Sequence, residues 1–298
     1  LVLIPRGDEP LLKTGEQPFD VINLVHLEAY LPGVLERELY EDWRLTTYQA
    51  QAIAARSYAI HRMLNAPPGR TFDVESTQVS QAYIGAATHH RALQAVLDTT
   101  GLVLTWEDEV IPAFYSSTCG GAGASPTDAF GGPNAYPPLE PVAHDAFCRS
   151  SKYFQWGPIR RDLGDLSKRL AEWGRTHDRP IGELGRIATI VVARRNAVGR
   201  PVRFAISDRS GRRFFLNADQ FRRACNHAQT VQLGSGDRLR SAFVDVRIIG
   251  DKVVFSGKGF GHGVGMCQFG AEAMANAGFD VTQILQTYYP SAKIDRVY

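Results

Sequence analysis

Residues 45–64 read LTTYQAQAIAARSYAIHRML. Leu45, Tyr48, Ala52, Ala55, Ala59 and Met63 step by three and four, the period of one helix face, and the abundance of Ala favours the helical state. The stretch is the clearest helix in the chain; its small side chains suit close packing, and Pro67-Pro68-Gly69 ends it. Upstream, Leu24, Leu27, Leu31 and Leu35 keep near-helical spacing, with Pro32-Gly33 predicting a break or restart partway. Glu38 lies just past that predicted break. Downstream, 89–99 reads as a shorter helix stopped near Gly101. Residues 102–105 and 110–116 then read as a hairpin turning at Glu107-Asp108-Glu109, whose second strand Pro112 confines to an edge or a bulge.

Beyond a Pro/Gly-rich stretch at 125–141, residues 166–177 read as an amphipathic helix. Residues 186–216 read as three short strands with turns at 196–199 and 208–211. Asn217 with Gln220 three residues on makes a capping box for a helix carrying Phe221. Residues 243–249 and 252–256 form a hairpin turning at Gly250-Asp251, and two short helices close the chain at 271–277 and, capped by Asp280, at 281–288. Helices mixed with antiparallel strands place the fold in the α+β class. The organisation read from the chain is an N-terminal edge (1–20), a first part of a core (21–156), an inserted basic subdomain (157–240) and a second part of the core (241–298).

The chain has 298 residues at 44% hydrophobic and 21% charged, enough for a sizeable buried core and too polar for an integral membrane protein. Its 28 Gly and 16 Pro exclude collagen-like and low-complexity readings. The net charge of +2 calls for no nucleic-acid partner, but 18 Lys/Arg against 8 Asp/Glu between Gln155 and Arg240 make the middle basic and the remainder acidic. A basic segment of this kind would steer an anionic polymer or form a solvated arginine-rich surface. No apolar stretch reaches the roughly 18 to 20 residues of a membrane helix, and Leu1 is not an initiator Met, so a removed signal peptide or anchor is expected. Cys119, Cys148, Cys225 and Cys267 show no CxxC spacing, hence neither a zinc-ribbon nor a thioredoxin-type motif.

Three stretches carry chemistry. Gly257-Lys258-Gly259-Phe260-Gly261-His262-Gly263-Val264-Gly265 has five glycines in nine positions, which lets backbone approach a ligand closely. It satisfies GxGxxG only loosely and no GxxxxGK[ST] follows, so phosphate cradling is the weaker reading beside a tight turn under a sheet; His262 and Gln268 supply polar tips. In Tyr115-Ser116-Ser117-Thr118-Cys119-Gly120-Gly121, a nucleophilic Cys119 would need a His and an orienting Asn or Asp that the sequence does not bring to it. In 27–38, Glu36 and Glu38 stand two residues apart on a helix and cannot share a face.

LEAYLPGVLERE with QAQAIAARSYA, YSSTCGG, and GKGFGHGVGMCQFGA with the later QTYYP resemble the SpoIID/LytB family of bacterial cell-wall proteins, in this order and at plausible spacing. The resemblance covers roughly 21–149 and 243–293, including Asp73-Val74 and Ser80-Gln81-Ala82-Tyr83-Ile84-Gly85, and is loose over 157–240. It implies a SpoIID-like fold with a substrate cleft, located outside the cytoplasm in wall or periplasm. It also implies lytic transglycosylase action on peptidoglycan glycan strands, preferentially those stripped of stem peptides. The family's catalytic Glu falls five residues after the glycine of its YxxGV element, which Gly33 maps onto Glu38. Two positions depart from the family pattern: Cys267 stands for the usual serine, and Leu39-Tyr40 for a common Met-Pro.

A lytic transglycosylase needs one carboxyl group where a glycosidase normally needs two, because the muramyl C6 hydroxyl attacks in place of water. Glu38 is the expected acid/base, with a pKa raised by Leu35, Leu39, Tyr40 and Trp43. Gln51, Arg56, Gln81, Tyr83, Ser117, His262 and Gln268, the polar members of the matching motifs, are the expected substrate contacts. No cofactor is required. Some family members hold zinc near the serine-rich turn, but Ser116 and Ala122 leave that ligand set incomplete here. For the thiols the expectation in an oxidising compartment is Cys119–Cys148 and Cys225–Cys267 disulfides, with a zinc site of Cys119, Cys148 and His144 as the rival. The competing function is a non-catalytic wall-binding or amidase-enhancing module that partners other cell-wall hydrolases.

Overall fold

The computed structural model describes residues 1–5, 18–77, 79–133, 136–141, 147–227 and 233–298. The chain divides into two compact units, Leu1–Pro112 with Lys293–Tyr298, and Ala113–Ala292. Both helices and antiparallel sheets are present, an α+β architecture. Among the described residues no helix is long and apolar enough to cross a membrane.

The first unit opens with an antiparallel pair, β1 (Val2–Pro5) and β2 (Phe19–Ile22). Helix α1 (Leu27–Glu38) starts at His26, whose ring nitrogen accepts from the Glu28 amide at 3.3 Å. The predicted break at Pro32-Gly33 does not occur: α1 runs through both residues to Glu38. An interior proline costs about 3 kcal/mol, while full burial of Leu31, Val34 and Leu35 returns about 1.5 to 3 kcal/mol each, so packing outweighs the lost backbone bond. Helix α2 (Leu45–Leu64) has the bounds its periodicity predicts, and Ala50, Ala52, Ala54 and Ala55 are buried as well as Tyr48 and Ile53, so neighbours close on it from several sides. Helix α3 (His90–Asp98) follows.

Strands β3 (Leu102–Trp106) and β4 (Glu109–Val110) form a hairpin across a two-residue turn at Glu107 and Asp108, both at positive φ (50° and 63°). The expected second strand over 110–116 is corrected: β4 ends at Val110, the last bond to β3 comes from the Ile111 amide just before Pro112, and the next strand, β5 (Tyr115–Ser116), belongs to the other unit. The chain's last strand, Lys293–Arg296, returns to pair antiparallel with the free edge of β3.

In the second unit, β5 is followed by α4 (Pro126–Phe130), β6 (Gln155–Asp162) and α5 (Leu163–Thr176). Next come β7 (Ile187–Arg195), β8 (Pro201–Asp208), β9 (Arg213–Asn217) and α6 (Ala218–Asn226), whose Asn217/Gln220 capping box forms as read. Strands β10 (Val244–Ile249), β11 (Lys252–Lys258) and β12 (Met266–Cys267) lead into α7 (Gln268–Asn276) and α8 (Val281–Tyr288), after which Lys293–Arg296 is β13. One antiparallel sheet orders β7-β8-β9 and another β10-β11-β6, while β5 and β12 pair in parallel.

Leu166, Leu170 and Trp173 of α5, Phe204 and Ile206 of β8, and Phe221 of α6 share a core with Val253 and Phe255 of β11. The segment 157–240 therefore does not close on itself: β6 pairs with β11, and the Phe204–Phe221 stack (3.9 Å between ring centres) sits in the common core. Several of its basic residues are engaged internally. Arg161 and Arg200 are buried, Arg212 pairs with Asp208 at 2.9 Å, and Arg222 and Arg223 both reach Asp219.

Candidate active site

Helix α1 carries three carboxylates, and each meets a different environment. Glu28, in its first turn, receives a bidentate ion pair from Arg56 with both N–O distances at 2.8 Å, and the Tyr298 hydroxyl donates to the same carboxylate. Burial pushes the Glu28 pKa up, but hydrogen bonds from Arg56 and Tyr298 and the Arg56 charge outweigh it and hold the carboxyl below its ordinary value. Glu36 accepts from the amides of Thr88 (2.8 Å) and His89 (3.0 Å) at the start of α3, a helix whose own N-cap residue, His89, makes no side-chain cap. It caps α3 in trans, where a negative charge faces the positive end of the helix.

Glu38 ends α1 half-buried. Its Oε1 accepts from the Ala82 amide at 3.2 Å, which tethers one oxygen of the carboxyl. The phenol of Tyr30 feels the Glu38 charge together with the phenols of Tyr58 and Tyr83; burial first, then these groups, push the Tyr30 pKa well up. Tyr30 and Tyr83 pack with ring centres 4.8 Å apart. Glu38 thus sits against a backbone amide with its charge reaching the Tyr30 phenol, while Glu28 and Glu36 serve structure.

The segment that supplies the Ala82 amide lies against α1 where Gly33 has no side chain. A Cβ there would fall 2.1 Å from the Gly85 carbonyl oxygen and 2.7 Å from the Tyr83 ring. Gln81 anchors the same segment: it accepts from the Tyr30 hydroxyl at 3.2 Å and donates to the Ala55 carbonyl at 3.1 Å.

These contacts place part of the expected substrate set inside the protein. Gln51, Arg56 and Gln81 are fully buried. Arg56 also donates to the Leu102 carbonyl at 3.0 Å, so its guanidinium faces protein, not solvent. Of the expected contacts in the first unit, Tyr83 is the one at the surface beside Glu38. Tyr30 and Tyr58, buried members of LEAYLPG and RSYA, are not among the expected contacts. The Ala82 amide carries no sequence signal at all.

Ser117, His262 and Gln268 belong to the second unit. There the serine-rich turn and the glycine run, separate in sequence, are stitched together: Thr118 and Phe260 exchange backbone hydrogen bonds (3.0 and 2.8 Å), and the Ala124 amide donates to the Gly263 carbonyl at 2.9 Å. Gly263, at positive φ (79°), leaves room for Arg200, whose Nη1 would lie 2.6 Å from an added Cβ. The His262 ring packs edge-on against Phe130 and Phe114, and its Nδ1 accepts from the Val264 amide at 3.0 Å. Burial and the nearby Arg200 charge lower its pKa to about 4 and keep it neutral. Gln268 is buried at the first turn of α7, and the Ser117 carbonyl accepts from the Phe269 amide at 3.1 Å.

The four thiols are free. The Sγ atoms of Cys119, Cys148 and Cys267 lie within 4.8 Å of one another, and Cys119 and Cys148 are 3.7 Å apart. The expected Cys225–Cys267 pairing is corrected: Cys225 sits on α6 in the core with Phe204 and Phe221, and Cys267 joins the other two thiols because β12 pairs beside β5. Burial pushes the Cys225 thiol up to about 12. His144, the third ligand of the rival zinc reading, lies outside the described residues.

The first unit is thus an α+β module whose first helix ends in a half-buried carboxyl held by the Ala82 amide. Residues 15–106 match the family model described as SpoIID, Stage II sporulation protein, and 142–265 match a separate one, Domain of unknown function (DUF8618). Stage II sporulation protein D of Bacillus amyloliquefaciens is 28% identical over 97% of this chain and 82% of its own length. An uncharacterised protein of Brachyspira hyodysenteriae is 27% identical over 99% of this chain and 71% of its own. The amidase enhancer of Bacillus subtilis is 26% identical over 89% of this chain, which spans 40% of that protein. The match over residues 15–106, together with relatives named Stage II sporulation protein D, supports a place for this part of the chain in the SpoIID family.

Proposed function

We propose that this protein acts in the bacterial cell wall as a lytic transglycosylase on peptidoglycan glycan strands, with Glu38 as the single acid/base. The observation that carries the reading is the separation of duties on α1: Glu28 and Glu36 are committed to Arg56 and to α3, and Glu38 stands half-buried, held by the Ala82 amide, with its charge reaching the Tyr30 phenol. The Glu38 carboxylic acid protonates the glycosidic oxygen as the C1–O bond breaks. The carboxylate then takes the proton of the muramyl C6 hydroxyl as that oxygen bonds C1, leaving a 1,6-anhydro end and regenerating the acid. No water is consumed, so a second carboxylate is not needed. The Ala82 amide orients the carboxyl, and Tyr83 offers an aromatic and hydroxyl surface to a sugar ring. Names of relatives support the cell-wall setting, a location outside the cytoplasm, and a preference for strands stripped of stem peptides follows from the resemblance.

Mass spectrometry of products from denuded and peptide-bearing glycan tests this. Denuded strands should yield muramyl ends about 18 mass units lighter than hydrolytic ends. Reducing ends would instead demand a second carboxylate. The likeness to an amidase enhancer supports a second reading, a wall-binding module that works on another hydrolase. Under it the protein binds glycan and releases no anhydro product.

A further inference from the structure

We propose that Cys119, Cys148 and Cys267 are three ligands of a structural zinc site that ties the serine-rich turn, the short 3-10 turn Phe147–Ser150 and the start of α7 to one another. The three residues come from segments far apart in sequence, all three are buried, and their Sγ atoms gather within 4.8 Å. A tetrahedral zinc with Zn–S bonds of about 2.3 Å puts its sulfurs about 3.8 Å apart, and Cys119 and Cys148 stand at 3.7 Å. Thiolate sulfur is the donor type that selects zinc over magnesium or calcium. Backbone amides point at the group: the Cys119 amide donates to the Cys267 sulfur at 3.2 Å and the Gly121 amide to the Cys119 sulfur at 3.4 Å.

An independent observation is the charge that faces these sulfurs. Arg200 is 1% exposed, with Phe243 over its guanidinium, and its hydrogen bonds run to the carbonyls of Cys119, Ala122 and His262. Among the described residues no carboxylate lies within ion-pair distance of it; Asp128 acts on it from farther away and is held by Asn196 at 3.0 Å. A buried cation requires a compensating negative charge. Three thiolates on one divalent zinc sum to −1, which neutralises Arg200. A Cys119–Cys148 disulfide beside a protonated Cys267 is neutral and leaves that charge to carbonyl dipoles, the Phe243 ring and the more distant Asp128. The ligand set draws on Cys148 and Cys267, outside the serine-rich turn, and its test reads no glycan chemistry.

The test uses the full chain, expressed in reducing cytosol and loaded with Zn2+ or, separately, Co2+. Zinc should bind at one per chain, and cobalt should give sulfur-to-metal charge-transfer absorption of three thiolates with the intense d–d bands of a tetrahedral site. Cys148→Ala should lose stoichiometric zinc, while Cys225→Ala keeps it. Should Cys148→Ala fail to fold, the cobalt spectrum of the wild type still decides, by the number of thiolates it reports. Stoichiometric zinc in Cys148→Ala, a cobalt spectrum without thiolate charge transfer, or failure of the reduced wild type to take up zinc would each overturn the proposal.

Discussion

Glu36 and Glu38 are separated by one residue and carry different duties because an α-helix turns their side chains about 200° apart. Glu36 caps α3 through two amide donors, so Glu36→Gln should keep glycan turnover and lose about 1 kcal/mol, a fall of about 2 °C in melting temperature, read by calorimetry. A variant with unchanged stability and abolished turnover would move the chemistry to Glu36. At this scale the sequence exposed the carboxylates but not their partners. Arg56 reads as a polar motif member suited to a ligand, yet its partner Glu28 stands 28 residues earlier and Tyr298 lies at the far end of the chain, contacts that leave no local pattern. Glutamine side chains mislead in the same way: Gln81 is fully buried because Tyr30 and Ala55 satisfy it.

Helix α1 and the segment 80–85 act as one device through Gly33. In an open helix Gly→Ala gains about 1 kcal/mol from backbone entropy. Here the new methyl group meets the Gly85 carbonyl and the Tyr83 ring, so Gly33→Ala should lower thermal stability while helical circular dichroism persists, and turnover should fall because the Ala82 amide moves off Glu38. A gain in melting temperature would show that the segment is not pressed on α1. Elements with a local period were legible: α2, the β7-β8-β9 meander with its turns, the β10-β11 hairpin, the Asn217–Gln220 capping box and the Asp280 cap stand where their patterns put them. Proline misled at Pro32, where burial overrides a local signal. The parallel pairing of β5 with β12 and the return of β13 to β3 were not legible, since strand partners separated by more than 100 residues leave nothing in a short window.

At the scale of the whole molecule, the first unit is closed by a buried ionic hub in which Arg56 links α1, the carbonyl of Leu102 at the start of β3 and, through Glu28, the C-terminal Tyr298. Removing one partner of such a pair costs about 3 kcal/mol, the expected loss for Arg56→Met by urea denaturation at pH 7. The folded Glu28 pKa is depressed below 4.5, so its stabilising contribution is complete above about pH 4.5 and disappears as pH falls through the lower folded value. The gap between wild type and Arg56→Met should therefore narrow on acidification below pH 4.5; a gap independent of pH would show that packing of the Arg56 stem, not the ion pair, sustains it. The central claim, a single-carboxylate glycan cleavage, is most directly tested by Glu38→Gln. Gln keeps the size of Glu and loses the transferable proton, so the folded variant should bind denuded glycan as the wild type does while release of anhydro ends falls by about 10⁴-fold or more. Normal cleavage by Glu38→Gln would contradict the account.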